Sequence, residues 1–300
     1  MNEARFIRYL RARAPRGGLR VGIGDDAAVV RGAGRTDWIL KADMVVEGVH
    51  FERSTSRPRD WGRKAVLCNV SDIAAMGGTP RYALVSAGFP RNFPPRGAEA
   101  AARGILEALA EFGVVLAGGD TTRSDRVVLS VAMVGEVGRG RAVTRAGARA
   151  GDVIFVTGPL GGSLRSGRHL RFVPRLAESR YLVSRYRVHA MIDVSDGLSK
   201  DLGHLAEESG VGLRVFDAAV PLSRATASVE AAFTDGEDFE LVFTVSGGDA
   251  RRLAADRLAR KKGFAFYPIG RVVPKRLGRR RVTAEGRLKP FPRARDHHFG

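Results

Sequence analysis

The chain has 300 residues, 44% of them hydrophobic, which is enough to build one large or two medium globular domains. Its single cysteine, Cys68, excludes an internal disulfide, and its longest apolar run is too short to span a bilayer. The net charge is +18, and the last fifty residues carry most of it, with 16 Lys and Arg against 3 acidic residues.

The two ends of the chain bear on location and partners. The N-terminus is rich in arginine but has no apolar core of a signal peptide, so we expect a cytoplasmic protein without a membrane partner. The basic C-terminal region, including Arg279-Arg280-Arg281, could bind nucleic acid or form a solvated surface. Because no stacking aromatics or helix-turn-helix pattern lies nearby, we favour the solvated surface.

The first half of the chain predicts helices and strands in mixed order. The spacing of apolar residues predicts helices over residues 1–14, 59–77 and 98–112. It predicts strands over residues 38–40, 82–89, 114–117 and 127–137. The strand at 114–117 is expected to stop at Gly118-Gly119. Antiparallel pairing is left open by this order.

A stretch rich in Gly, Arg and Ala at residues 138–151 is the expected junction, which divides the chain into domains 1–138 and 139–300. The pattern beyond it predicts both element types: strands over residues 152–157, 189–192, 239–245 and 264–273, and helices over residues 173–186, 198–209 and 249–262. The helix at 249–262 is expected to be basic.

Aspartates stand beside Gly, Ser or Thr where six apolar segments end. In the first of these, Asp25 and Asp26 would point to opposite faces unless the backbone kinks. Converging carboxylates repel one another, and Mg²⁺ is the usual remedy because it prefers oxygen ligands and phosphates. We therefore predict a site with several Mg²⁺ ions that serves a polyphosphate, with these candidate ligands: Asp26, Asp43, Asp72, Asp120, Asp193 and Asp196.

Other kinds of site fit the sequence less well. A glycosidase needs a pair of carboxylates rather than six, and the histidines and the cysteine lack the spacing of zinc ligands. The phosphate-binding loop G-x-x-x-x-G-K-[ST] and the protein-kinase motifs are missing. Backbone N–H groups of Gly118-Gly119 and of residues 195–197 could bind phosphate instead, and Arg145 could neutralise it.

Eight motifs follow one another in a specific order: GIGDDAAV (22–29), DMVVEGVHF (43–51), NVSDIAAMGGTP (69–80), GGDTT (118–122), TRAGARAGD (144–152), IDVSDGLSKDL (192–202), GEDFELVFT (236–244) and DHHF (296–299). In this order and spacing the chain resembles the thiamine-monophosphate kinase family. That family is part of an ATP-binding superfamily that includes aminoimidazole ribonucleotide synthetase and selenophosphate synthetase.

The resemblance implies a two-domain fold of the α+β / α/β class. An N-terminal mixed sheet would pair with that of a second subunit in a homodimer, and a C-terminal α/β domain would complete the active site. The implied reaction transfers the γ-phosphoryl group of ATP in line to thiamine monophosphate, with Mg²⁺ as cofactor, and gives thiamine diphosphate and ADP.

The resemblance also implies a role for each matching residue. The metal ligands would come from both domains: Asp26, Asp43, Asp72 and Asp120 from the first, Asp193 and Asp196 from the second. The residues that would contact ATP are Gly119, Asp120, Arg145 and Ser195. The residues that would contact thiamine phosphate are His50 and Glu237. Three of the ligands are also expected to be catalytic: Asp43, Asp120 and Asp196.

The chain departs from the family pattern at four places, one of which is Arg103, where the family often has Tyr. Lys41-Ala42 stands where the family tends to have Ser-Thr, the segment between Ser163 and His169 is shortened, and Arg293 replaces an aromatic residue. Substrate choice is therefore open to an alternative, an ATP-dependent synthetase or kinase of the same superfamily acting on another small phosphorylated metabolite. A non-catalytic role in nucleic-acid binding, based on the basic C-terminal region, is the more distant alternative.

Overall fold

The computed structural model describes residues 3–15, 17–226 and 228–294. The first part of the chain alternates helices and strands: α1 (Glu3–Arg13), β1 (Leu19–Val21), β2 (Ala28–Arg31), β3 (Thr36–Val46), α2 (Pro58–Ala75), β4 (Thr79–Phe89), α3 (Pro95–Glu111), β5 (Val115–Arg123) and β6 (Val128–Gly138). The predicted helices and strands of this part are present. Two boundaries are wrong. Strand β3 continues beyond residue 40 to Val46 while paired with β6, and β5 continues through Gly118 and Gly119 to Arg123 while paired with β4.

These strands form one six-stranded sheet in the order β1-β2-β3-β6-β4-β5. Neighbours are antiparallel, except that β4 and β5 run parallel and are joined by α3. The inner face carries buried side chains such as Ile39 and Val131, which belong to the same core as Trp61 and Val66 of α2. The outer face exposes large apolar side chains: Leu40, Met44, Tyr82 and Leu84.

Helix α2 is held close to α3 by two glycines. A Cβ atom on Gly62 would lie 2.0 Å from the Ala101 carbonyl oxygen, and one on Gly104 would lie 1.9 Å from the Arg59 carbonyl oxygen. Only glycine permits the two backbones to approach this closely. The position of α2 is thereby fixed, together with Asp72 near its C-terminal end.

The rest of the chain forms a second sheet and the helices around it. Its elements are, in order, β7 (Val153–Val156), α4 (Ser163–Ser166), α5 (Leu176–Arg185), β8 (Val188–Asp193), α6 (Leu198–Ser209), β9 (Gly212–Phe216), α7 (Val229–Thr234), β10 (Leu241–Val245), α8 (Gly247–Ala254), α9 (Arg257–Lys261), β11 (Tyr267–Val273), β12 (Arg279–Val282) and β13 (Leu288–Pro290). The single helix predicted over 249–262 is wrong. The chain breaks there because Asp256 caps a new helix, accepting hydrogen bonds from the backbone N–H groups of Leu258 and Ala259.

The second sheet has seven strands in the order β13-β12-β9-β11-β7-β10-β8. On one face, Ile154 and Ile192 pack in a core shared with α6 and α7. On the other face, Phe155 and Met191 pack in a core shared with α5, α8 and α9. Because helices cover both faces, the central strands read as continuous apolar runs.

Arg281 does not lie on the solvated surface that we expected for the three consecutive arginines. It belongs to β12, is only 7% exposed, and its guanidinium lies 2.8 Å from Glu230 and 3.5 Å from Asp217. Arg279 and Arg280 of the same strand are exposed.

The two sheets share no strand, but their helices and loops pack together. Helix α2 contacts α5 and β8, and Leu170, Phe172 and Phe239 from the second half belong to the first core. The domain boundary predicted between residues 138 and 139 falls between β6 and β7 and stays a prediction. Among the described residues, no helix combines the length and the apolar character needed to cross a membrane.

Candidate functional site

Three buried aspartates from separate parts of the fold lie together where the two halves meet. Asp26 precedes β2, Asp72 lies on α2 and Asp193 ends β8. Each contributes one carboxylate oxygen to a group in which all oxygens lie within 4.8 Å of one another. We call these three residues the acidic triad. The structure thus brings together half of the six predicted metal ligands, from both halves of the chain.

The triad is electrostatically unfavourable by itself. Burial raises the pKa of Asp72 well above its ordinary value. Burial and the neighbouring Asp26 raise the pKa of Asp193 to about 7, although the Ser71 hydroxyl donates a hydrogen bond to it at 2.6 Å. Among the described residues, the Oδ2 atom of Asp26 is buried without a hydrogen-bond partner. A hard cation would satisfy this oxygen and offset the repulsion, so the donor set fits Mg²⁺.

Asp43 lies beside the triad, and Lys41 connects the two. The Lys41 ammonium nitrogen is 3.2 Å from Asp43 Oδ1 and 3.1 Å from Asp72 Oδ2. Burial lowers the pKa of Lys41, but the attraction of Asp72 and Asp43 outweighs it and the net shift is upward. The lysine is therefore a cation within the acidic site, a contact that the sequence did not predict.

The backbone turns at Gly24, just before Asp25-Asp26, and Arg145 hydrogen-bonds to both aspartates. Gly24 adopts φ +122°, a conformation that favours glycine. The Asp25 carboxylate accepts hydrogen bonds from the backbone N–H groups of Asp26 at 3.1 Å and of Arg145 at 3.2 Å. The Arg145 guanidinium lies 2.6 Å from Asp26 Oδ1. Arg145, predicted to contact ATP, thus lies next to the triad.

Ser195 and Asp196 lie in the loop between β8 and α6, immediately after Asp193. The Ser195 carbonyl accepts a hydrogen bond from the Glu237 backbone N–H at 2.7 Å. The Asp196 carboxylate pairs with Lys200 at 2.9 Å, and its backbone N–H donates to Asp201 at 3.1 Å. Asp196 is therefore close in sequence to Asp193 of the triad, but its carboxylate is paired with Lys200 of the following helix, α6.

Gly119 and Asp120 occupy the edge strand β5, whose residues are all exposed. A Cβ atom on Gly119 would lie 1.7 Å from the Val85 carbonyl oxygen, so the packing of β5 against β4 requires glycine at this position. Asp120 pairs with Ser86 on the outer face. Three strand spacings, about 14 Å, separate β5 from β3. Asp120 and the triad of the same subunit are therefore not brought together.

His50 and Glu237, predicted to bind substrate, are joined by a residue that the sequence analysis missed. The Lys64 ammonium donates a hydrogen bond to the His50 carbonyl at 3.0 Å and forms an ion pair with the Glu237 carboxylate. The Lys64 side chain is 0% exposed. Glu237 itself has φ +66°, a strained conformation of the kind that clusters at functional sites.

A cavity of about 1000 Å³ opens beside His50. One wall is the N-terminal part of α2, including Arg59 and Arg63. The other wall includes the shortened segment after Ser163, with Arg165, and continues to Arg171. Its basic lining suits a phosphorylated ligand. His169 also lines it, and burial lowers the pKa of this imidazole to about 4, so the ring is neutral at pH 7.

Ion pairs fix the end of the shortened segment. Arg175 makes hydrogen bonds of 2.6 and 2.7 Å to the two carboxylate oxygens of Glu240, and Arg168 pairs with Asp238. The Gly161 backbone N–H donates to Asp238 at 2.8 Å. The GEDFE motif therefore anchors the cavity wall as well as presenting Glu237. Arg293 is exposed, and the DHHF motif at 296–299 lies outside the described residues.

Comparison with known proteins matches both halves of this structure. Residues 24–137 match the family "AIR synthase related protein, N-terminal domain", and residues 162–283 match the corresponding C-terminal domain. The thiamine-monophosphate kinase of Rhodopirellula baltica is 36% identical over 98% of this chain and 97% of the relative.

Solved structures agree with the sequence comparison. "AaThiL complexed with AMPPCP and TMP" has a TM-score of 0.81 and 30% identity, covering 96% of this chain and 95% of that chain. Thiamine-monophosphate kinase from Stenotrophomonas maltophilia has a TM-score of 0.75 and 31% identity, covering 95% and 96%. These matches confirm the two-domain α+β / α/β fold class. The chain therefore belongs to the thiamine-monophosphate kinase family, which the motif order predicted.

Proposed function

We propose that this chain is a kinase that uses ATP to phosphorylate thiamine monophosphate to thiamine diphosphate. The single observation that carries the proposal is the acidic triad, assembled from both halves of the chain. Helix α2, which carries Asp72 of the triad, also contributes Arg59 and Arg63 to the lining of the basic cavity. The similar solved structure in complex with AMPPCP and TMP supports an ATP analogue and thiamine monophosphate as the ligands of such a site.

In the reaction, an anionic oxygen of the thiamine phosphate attacks the γ-phosphorus of ATP. A new P–O bond forms as the bond between the γ-phosphorus and the β–γ bridging oxygen breaks, and ADP leaves with the bond electrons. The nucleophile is already an anion, so no strong general base is required. Catalysis then depends on positioning and on neutralising the phosphate charge.

Each predicted site residue has a role in this proposal. The triad would hold Mg²⁺, which supplies charge neutralisation on the triphosphate, and Asp43, Asp120 and Asp196 would complete the metal and catalytic set. Arg145, already beside Asp26, would neutralise a phosphate oxygen, with Gly119 and Ser195 offering further contacts to ATP. His50 and Glu237 would position thiamine monophosphate, held in place by Lys64.

We further propose that the protein works as a homodimer. The outer face of the first sheet carries exposed apolar side chains, and β5 is an exposed edge strand, so both are suited to pairing with a second copy. Asp120 lies on this outer face, away from the triad of its own subunit. In a homodimer it would instead approach the site of the partner subunit. The predicted cytoplasmic location stays a prediction.

The proposed function is tested by incubating the purified chain with ATP, Mg²⁺ and thiamine monophosphate and identifying the products by chromatography. We expect equal amounts of ADP and thiamine diphosphate. ADP and free phosphate without thiamine diphosphate would contradict the proposal and favour the alternative, an enzyme of the same superfamily that acts on another phosphorylated metabolite.

A further inference from the structure

Lys41 has an unusual position for a lysine. It lies on β3 with Asp43 on the same face, two residues away, and its side chain is 19% exposed. Its ammonium nitrogen lies between two carboxylates, 3.2 Å from Asp43 and 3.1 Å from Asp72. The charge of Asp193 also acts on it. Lys41 is thus surrounded by the same carboxylates that would bind metal.

The ammonium and a divalent ion would compete for this place. Asp72 forms an ion pair with Lys41 and is also a member of the triad, in which the oxygens lie within 4.8 Å of one another. Phosphate-transferring sites with two metal ions often place them about 3.5–4 Å apart. A divalent ion that bridged Asp43 and Asp72 would occupy the space of the Lys41 ammonium and would be repelled by its charge.

A second observation distinguishes the cation position within the triad from the position that the Lys41 ammonium occupies between Asp43 and Asp72. The Oδ2 atom of Asp26 is buried and has no hydrogen-bond partner in the part of the chain that the structure describes, although the Oδ1 atom of the same carboxylate accepts a hydrogen bond from Arg145. One position for a cation is therefore left within the triad, while the position between Asp43 and Asp72 is already filled by a side-chain cation.

We propose that Lys41 is a resident cation of the site, whose ammonium takes the place of one divalent ion between Asp43 and Asp72. This inference rests on the proposed metal-binding role of the triad. The nucleotide-free chain would then bind one divalent ion fewer than its carboxylates could hold. Lys41 would also keep Asp43 and Asp72 close together before any metal arrives.

The test is a count of bound Mn²⁺ ions by electron paramagnetic resonance on the full chain without nucleotide. Lys41→Met removes the charge and keeps a side chain of similar length. We expect this variant to bind one Mn²⁺ more per chain than the wild type. A double variant, Lys41→Met with Asp43→Asn, should return to the wild-type number. Lys261→Met, at an exposed position on α9, is the matched control and should change nothing.

A thermal melt in EDTA reports on the same contact independently. Lys41→Met should melt at a lower temperature than the wild type, because Asp43 and Asp72 lose their counter-charge, and Mn²⁺ should raise its melting temperature more than it raises that of the wild type. The same Mn²⁺ number in Lys41→Met and in the wild type would overturn the role of Lys41. Absence of Mn²⁺ binding in both proteins would overturn the metal-binding triad as well.

Discussion

At the scale of single residues, the site depends on buried charges that are paired across the two halves of the chain. Lys64 is the clearest case, because its side chain is 0% exposed and its partners His50 and Glu237 come from different halves of the chain. A buried charge is tolerated only when it is paired and hydrogen-bonded. We therefore assign Lys64 a positioning role for the two predicted substrate-binding residues.

Lys64→Met should destabilise the protein and raise the KM for thiamine monophosphate more than it lowers kcat. The loss of one partner of a buried ion pair costs about 2–4 kcal/mol of unfolding free energy when the other partner is slightly exposed. Urea unfolding of Lys64→Met, Glu237→Gln and the double variant measures the coupling between the two residues. Effects that add without a coupling term would show that the ion pair has no energetic role.

The carboxylates of the site were partly predictable from sequence, and their cations were not. Aspartates with Gly, Ser or Thr close by at the ends of apolar segments indicated Asp26, Asp72 and Asp193 as parts of one site, and the structure brings these three together. Lys64 gave no signal, and Lys41 stood out only as a departure from the family pattern, because an isolated lysine in a strand or helix is usually solvent-exposed. Only the packing of α2 against β3 and the second half places them among acids.

At the scale of secondary-structure elements, caps and local turns decide where helices begin and end. Asp256 separates α8 from α9, accepting two hydrogen bonds from the N-terminal backbone of α9. The same carboxylate accepts hydrogen bonds from the hydroxyls of Tyr181 on α5 and of Tyr186, which follows α5. One aspartate therefore ties three segments on one side of the second sheet.

This network should make stability depend on pH through Asp256. The two tyrosine hydroxyls lower the pKa of Asp256 to about 2, from an ordinary value of 3.8. Its stabilisation is present above about pH 4 and is lost as the pH falls toward 2. We expect Asp256→Asn to lower the melting temperature at pH 7 by about 2–4 °C for each kcal/mol lost.

Urea unfolding at pH 7, 5, 4 and 3 measures this dependence. The difference in unfolding free energy between wild type and Asp256→Asn should shrink between pH 4 and pH 3. Tyr181→Phe, which removes one of the two hydroxyls, should show a smaller effect of the same sign. A difference that stays constant across this pH range would contradict the assigned cause of the pKa shift.

Helices were predicted better than short strands. The helix predicted over residues 198–209 is α6, with Gly210 in a left-handed conformation at its end, because apolar spacing and a glycine stop are local signals. Five short strands were not predicted: β1, β2, β9, β12 and β13. They are three to five residues long, and β12 is mostly arginine, so only their pairing with neighbouring strands makes them strands.

At the scale of the whole molecule, the proposed active site is completed by a second copy of the chain. The triad lies between the two halves of one subunit, whereas Asp120 lies on the outer face of the first sheet. A homodimer formed through that face would complete each site with Asp120 from the partner subunit. This geometry predicts that two defective variants can restore each other.

Asp72→Asn and Asp120→Asn should each be inactive as homodimers. If the two are mixed and allowed to exchange subunits, half of the dimers are mixed, and each mixed dimer has one site with both aspartates intact. We therefore expect about a quarter of the wild-type rate of thiamine diphosphate formation. If Asp120 serves its own subunit, mixing restores no activity, which would contradict the assignment of Asp120 to the partner's site.

The central claim is that the acidic triad is the metal-binding centre of phosphoryl transfer. Its most direct test is the rate of thiamine diphosphate formation by Asp193→Asn at saturating ATP, thiamine monophosphate and Mg²⁺, with circular dichroism to confirm folding. The account predicts a folded protein whose rate falls by about 100-fold or more, because a charge-neutralising interaction at the reacting phosphates is lost. A folded Asp193→Asn variant with near-native turnover would contradict it.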